Sequence, residues 1–342
     1  MEDKPFFSQG AYGCAMYPRV KCNGTRSNHK KRKTKRKEMS KIVENSAISQ
    51  NEIAMGKIIN KMMKGKKDKK LIGVSRFCET KPKYISKFKK CKIISNPRSS
   101  KFLILYSQYI PSTSLRSYLY TDFTRGKWVK TYDFILNVVR ILQREEIVHH
   151  DLTSNNIIVS KKKTTLHVID FGLSFCIRDC FLNKSINYDY IKLLFFPDTN
   201  FYLWPMEHHI LGYMVRYDRI PNQEELLYLV QQYYGNKNNA LFQYEPIVLD
   251  GYIREVYAFY EHQYIHSELP LEVHIRDLIT QSSLTWDLYT TSYMLLRRLM
   301  SKPVAGLEEM VPFLNRALHY DYTKRPSLHD HQAMYFKTMD DL

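Results

Sequence analysis

Two short apolar runs, residues 156–159 and 166–169, flank a lysine-rich turn at 161–163, a pattern that predicts a small β-hairpin. Residues 48–62 carry Ile48, Ile53, Met55, Ile58, Ile59 and Met62, which recur as one face of a helix. Farther along, Asn222 and Glu225 have the spacing of a capping box and Gly235 stands where a helix stops. No apolar run approaches the roughly 18 residues that a membrane-spanning helix requires, and no apolar signal segment opens the sequence. These patterns lead to the expectation of a soluble, intracellular protein.

The chain has 342 residues, 44% of them hydrophobic and 25% charged, enough for one large two-lobed domain or two ordinary ones with a real core. Its six cysteines, Cys14, Cys22, Cys78, Cys91, Cys176 and Cys180, have neither C-x-x-C spacing nor the density of a secreted scaffold. They are read as buried or free thiols. The histidine pairs His149-His150 and His208-His209 lack a third ligand, and adjacent side chains diverge on regular elements, so no zinc site is expected. No internal repeat is present.

Charge is unevenly placed. Residues 1–105 carry a net +21 and the remainder −3, so all the excess of the +18 chain lies in its first third. The densest run is 30–37 (KKRKTKRK), with a second cluster at Lys64, Lys66, Lys67, Lys69 and Lys70. Such runs are usually solvated loops; the sharper alternative is a surface for nucleic acid, acidic proteins or nuclear import. No base-stacking or groove-reading motif accompanies them, which argues against sequence-specific recognition.

The hairpin holds the candidate chemistry. Asp151 and Asn156 precede its first strand and Asp170 follows its second, so three oxygen-bearing side chains are expected at one edge. Asn156 and Asp170 offer hard oxygen ligands of the kind magnesium prefers. Asp151 is left as a carboxylate able to orient a hydroxyl or accept its proton.

Those residues carry a specific resemblance. His149-His150-Asp151-Leu152, with Asn156 four positions on, resembles the catalytic loop H-R-D-L-x-x-x-N of protein kinases, and Asp170-Phe171-Gly172 resembles their D-F-G. Both motifs stand in the family's order and at its spacing. Upstream, Ser8, Gln9, Gly10, Ala11, Tyr12, Gly13, Cys14 and Ala15 resemble the glycine-rich loop over the nucleotide phosphates, with Ser8 at the first glycine. Lys41, flanked by apolar and small residues, fits the phosphate-gripping lysine on strand 3, and Glu52 its partner on the next helix. The interval between them is shorter than usual, and Gly56 stands where a packing residue is common. Residues 102–119 resemble the fifth strand, the hinge and the following helix; the backbone near Gln108 and Ile110 would then meet adenine, with Ser107 as a small gatekeeper. Downstream, Trp204-Pro205-Met206-Glu207 resembles A-P-E, Asp287 the helix aspartate that supports the catalytic loop, and Arg325 the late arginine that pairs with Glu207.

The resemblance spans roughly residues 5–336 and implies an α+β, two-lobed protein-kinase-like fold: a basic, mainly β lobe over 1–110 and a mainly helical lobe over 111–342. It implies ATP and Mg2+ as cofactors and transfer of the γ-phosphoryl group to serine or threonine of a protein substrate. Departures are visible. His150 stands where an arginine usually receives a phosphorylated loop, and Thr153 where serine/threonine kinases carry lysine. Glu207 and Asp287 are 80 residues apart, far more than in most relatives, and the insertion at 208–283 contains ten tyrosines. It is either a packed extension of the helical lobe or a docking surface. With this insertion, the segments G-A-Y-G-C, S-K-I-V and W-P-M-E are similar to serine/threonine kinases encoded by large nucleocytoplasmic DNA viruses. Two other readings stay open: a pseudokinase that binds partners through its basic lobe or insertion, and a small-molecule kinase, which Glu207, Asp287 and Arg325 disfavour. Oligomeric state is not readable.

Overall fold

Strand alternation sets the first sheet. β1 (Phe6–Gln9), β2 (Gly13–Tyr17), β3 (Glu38–Glu44), β4 (Arg76–Thr80) and β5 (Phe102–Gln108) form an antiparallel sheet in the order β1-β2-β3-β5-β4. The computed structural model describes residues 6–10, 13–22, 37–85, 88, 90–95, 101–236 and 246–340. Successive side chains of a strand point to opposite faces. Cys14, Met16, Ile42, Ile104 and Tyr106 therefore pack on one side, and Val43, Leu103 and Leu105 on the other, where they meet Ile53. Lys41 lies two positions from Val43 and shares its face, opposite Ala15 on β2 and Leu105 on β5.

Ile53 belongs to α1 (Ala47–Met62), the helix expected over 48–62. Ser46 caps it: its hydroxyl accepts from Ser49 N, while Ser49 Oγ accepts from Ser46 N at 2.9 Å. Gly56 is required by a close approach, since a Cβ there would fall 2.8 Å from the backbone N and O of Val74. Asn60 bridges the same contact, donating to the carbonyls of Gly56 and Val74 at 2.7 Å each.

The hairpin forms as the pattern indicated, with Ile157–Ser160 paired to Leu166–Val168 and Ser112–Ser114 added on its other edge. Backbone bonds from Ile72 N to Val168 O (2.9 Å) and from Val168 N to Lys70 O (2.8 Å) tie it to the chain after α1. The hairpin thus belongs to one compact unit, Met1–Tyr118 with Ser154–Ser174; the second unit is Leu119–Thr153 with Phe175–Leu342.

One expectation is overturned in the first unit. Cys14 is bonded to Cys91 and Cys22 to Cys78, so four of the six cysteines are disulfides; only Cys176 and Cys180 are free, and both are buried. The pairs are separated by 77 and 56 residues, and only the tertiary fold brings their Cα atoms to 5.9 and 6.4 Å. Local spacing carries no trace of such a pairing.

The second unit is mainly helical. Its long helices are Arg125–Gln143, Met206–Tyr217, Gln223–Tyr234, Pro246–Tyr260, Leu271–Thr280, Trp286–Ser301 and Leu328–Asp340. The capping box at Asn222 and Glu225 is present, with 2.9 Å bonds in both directions, and Gly235 N closes the helix on Gln231 O. Residues 208–283 pack into the second unit: Leu226, Val230, Tyr233, Val256, Tyr260, Ile275 and Leu278 share one core with Val148, Phe175 and Trp286, which lie outside that segment. A small N-terminal sheet and a mainly helical remainder are compatible with the two-lobed α+β arrangement expected. Among the described residues no helix is long and apolar enough to cross a membrane.

Candidate active site

In the first unit Lys41 is the centre of an ion-pair cluster. Its Nζ donates to Glu52 Oε2 at 3.0 Å and to both carboxylate oxygens of Asp170, at 2.9 and 3.0 Å. Glu52 is buried, whereas the Asp170 side chain keeps 39% of its surface exposed. Burial alone would lower the ammonium pKa, but the two carboxylates outweigh it and hold Lys41 above the ordinary lysine value. Glu52 is shifted up, because burial outweighs the attraction of Lys41 and the nearby Asp170 adds repulsion. The short interval between Lys41 and Glu52 is explained by the connection: β3 ends at Glu44 and α1 starts at Ala47.

Asp170 sits at the end of the hairpin with φ +63°, and Gly172 follows two positions later. Ile169 N donates to Asn156 O at 2.9 Å, which continues the ladder and places Asn156 beside Asp170 at that end. Asn51, the neighbour of Glu52, secures the turn by donating to Gly172 O at 2.9 Å and Ser174 O at 2.8 Å. Sequence reasoning missed Asn51. Its signal was a polar residue inside the buried face of an apolar stripe.

Of the glycine-rich stretch, Ser8 and Gln9 lie on β1 and pair with Ala15 and Cys14 on β2, and Gly10 N donates to Gly13 O at 2.9 Å. A Cβ on Gly13 would lie 2.5 Å from Ile42 O, so this position needs glycine. Ala11 and Tyr12 lie outside the described residues, as does the basic run at 30–36. The Cys14 side chain points into the core toward Cys91. Gln108 ends β5 and Ile110 follows it; between them, Tyr109 N is committed to Lys37 O at 2.9 Å.

The second unit carries Asp151. Its loop leaves the short strand Ile147–Val148, which pairs with Phe175–Cys176, and is pinned by Asp287. The two Asp287 oxygens accept from His149 N at 2.8 Å and His150 N at 2.9 Å. Burial pushes the Asp287 carboxyl up to about 6, against the pull of those two N–H groups. Thr153 N donates to Asp151 O at 2.8 Å and closes the turn, and Asp151 itself is only partly buried. The His150 ring is buried and stacks on Trp204, 4.7 Å between centroids and 13° between planes.

Glu207 and Arg325 form a buried pair in the same unit, with guanidinium bonds of 2.6 and 3.0 Å. Ser282 Oγ (2.9 Å) and Trp286 Nε1 (3.2 Å) donate to the same carboxylate. Among the described residues, no group of three His, Cys, Asp or Glu side chains could hold a metal ion. Both Asp170 oxygens accept from Lys41, and the Asn156 backbone pairs with Ile169 at the same end of the hairpin.

No curated protein matches the chain. Residues 22–185 match the family model for protein tyrosine and serine/threonine kinase. The matched stretch contains Lys41, Glu52, Asp151, Asn156 and Asp170; Gly10 and Gly13 precede it, and Glu207, Asp287 and Arg325 follow it. Over these residues the chain is similar to a family that includes kinases of both tyrosine and serine/threonine, and the match supports a protein kinase.

Proposed function

We propose that the protein is an ATP-dependent protein kinase that transfers the γ-phosphoryl group to serine or threonine hydroxyls. The observation that carries this reading is the Lys41 cluster: one partly buried ammonium held between Glu52 and Asp170, with Asn156 next to Asp170 in the ladder. Lys41 would grip the nucleotide phosphates, and the backbone at Gly10 and Gly13 would cover them. Asn156 and Asp170 would hold magnesium, which neutralises charge on the phosphates when bound. Asp151, five residues ahead of Asn156 in the chain, would orient the substrate hydroxyl. A protein rather than a small-molecule substrate is supported by the Glu207–Arg325 pair and by the Asp287 support of the loop. Preference for serine and threonine rests on resemblance alone.

The net +21 of residues 1–105 supports a preference for acidic protein substrates and weak, salt-sensitive binding of polyanions. Replacing the seven Lys and Arg of 30–37 by serine should weaken polyanion binding and spare turnover on a neutral peptide.

The decisive test is incubation of the wild type, Asp170→Ala and Lys41→Met with labelled ATP, magnesium and mixed protein substrates, followed by phosphoamino-acid analysis. Label on serine and threonine, falling at least about a hundredfold in both variants, is the expected result. Equal labelling in all three proteins, or none in the wild type, would make the chain a binding protein with a kinase-like fold.

A further inference from the structure

The segment that leads into Glu207 is strapped down along its length. Asp198 N donates to His209 Nδ1 at 3.3 Å, and the carbonyl of Leu203 accepts from Thr290 Oγ1 at 2.9 Å. Tyr233 OH reaches the carbonyls of Tyr202 (3.2 Å) and Trp204 (2.8 Å) and also meets Tyr289 OH at 2.9 Å. Trp204 Nε1 donates to His150 O at 2.6 Å. Just upstream, helix Met206–Tyr217 packs so tightly on residues 196–197 that a Cβ on Gly212 would lie 2.4 Å from the carbonyl carbon of Phe196.

Three of these holds, His209, Gly212 and Tyr233, come from the insertion at 208–283. Meanwhile the place that resembles an arginine's offers no permanent cation. The His150 ring is enclosed by Phe175, Phe195, Trp204, His208 and Trp286, at centroid distances from 4.7 to 5.9 Å. Burial, and then the neighbouring His150 and His209, keep His208 well below the ordinary imidazole value, and the rest of the cage is aromatic: Phe175, Phe195, Trp204 and Trp286. An aromatic cage of this kind desolvates an added phosphate without pairing it.

We propose that the insertion is a built-in brace, with Tyr233 as the positioning residue that orders residues 198–204 without any added phosphate. The proposal rests on the protein-kinase reading for its effect on rate, though not for the ordering itself. All of the hydrogen bonds named for Tyr233 lie within the second unit, while Lys41 belongs to the first. Loss of the brace should therefore change the use of a protein substrate and leave the KM for ATP unaltered.

The test uses Tyr233→Phe, which removes one hydroxyl and keeps the buried ring, and Trp204→Phe, which removes the indole N–H. Phosphatase-treated protein, shown free of phosphate by mass spectrometry, is compared with untreated protein by hydrogen exchange at Asp198, Phe201 and Trp204. Wild-type protection should be the same with and without phosphate. In each variant these three amides should exchange about tenfold faster, the scale of one buried hydrogen bond lost. The kcat/KM for protein substrate should fall by a similar factor at constant KM for ATP.

Protection that depends on phosphate overturns the proposal. Unchanged exchange in Tyr233→Phe overturns it, as does a uniform rise over the whole second unit, the mark of a general packing role. If the wild type transfers no phosphate, the kinase reading fails, and the exchange comparison still decides the brace.

Discussion

Arg325 meets Glu207 through two hydrogen bonds, and neither side chain reaches the surface: they are 1% and 0% exposed. The positions are 118 residues apart, and the pair sits where the insertion, helix Trp286–Ser301 and the C-terminal region converge. A buried ion pair of this kind is costly to break from one side, because the remaining charge loses its partner away from water.

Glu207→Ala or Arg325→Ala should each destabilise the protein by about 3–5 kcal/mol, read by denaturant unfolding. The double variant Glu207→Leu/Arg325→Met should recover part of that loss. Recovery will be incomplete, since Ser282 and Trp286 also donate to Glu207. Single variants within about 1 kcal/mol of the wild type would show that the pair is hydrated in solution.

Asp287 links pH to the Asp151 loop. Its carboxyl is pushed from 3.8 up to about 6 by burial, so between these values the folded state holds the proton that the unfolded state releases. The stability contributed by this group is therefore present at low pH and lost as pH rises through about 6. Activity should run the other way, because the ionised carboxylate best accepts from both His149 N and His150 N. Relative to Asp287→Asn, the wild type should gain about 2–3 kcal/mol between pH 7 and 4, a two-unit shift at 1.36 kcal/mol each. Its rate should decline below pH 6 with an inflection that the Asn variant lacks. Parallel stability curves for the two proteins would refute the assignment.

The cysteines give a direct chemical check. Alkylation of the denatured, unreduced protein should label two thiols, Cys176 and Cys180, and prior reduction should raise the count to six. In the native state neither should react, because both are buried and burial pushes the Cys176 thiol up to about 11. Six labels without reductant would exclude both bridges.

What the sequence determined by itself was local. The hairpin around 161–163, helix α1 and the cap at Asn222 were legible because each depends on residues within a few positions of one another. Asp151, Asn156 and Asp170 are legible as candidates because they fall within one 20-residue stretch whose order resembles a known motif. Lys41 stands out among many lysines because apolar and small residues flank it, unlike the basic run before it.

Tertiary structure decided whatever depends on register between distant segments. Cys14 meets Cys91 only because β2 and the chain before β5 are brought together, and nothing within 77 residues announces it. Asn51 looked like one polar residue in a stripe until the turn at Gly172 came within its reach, 121 positions away. The insertion read as ten tyrosines without assigned partners; folding commits Tyr233 to the carbonyls of Tyr202 and Trp204. The physical reason is common to all three. A hydrogen bond or a disulfide is set by distances of a few ångströms, and a one-dimensional pattern encodes such distances only within a turn of helix or a pair of strands.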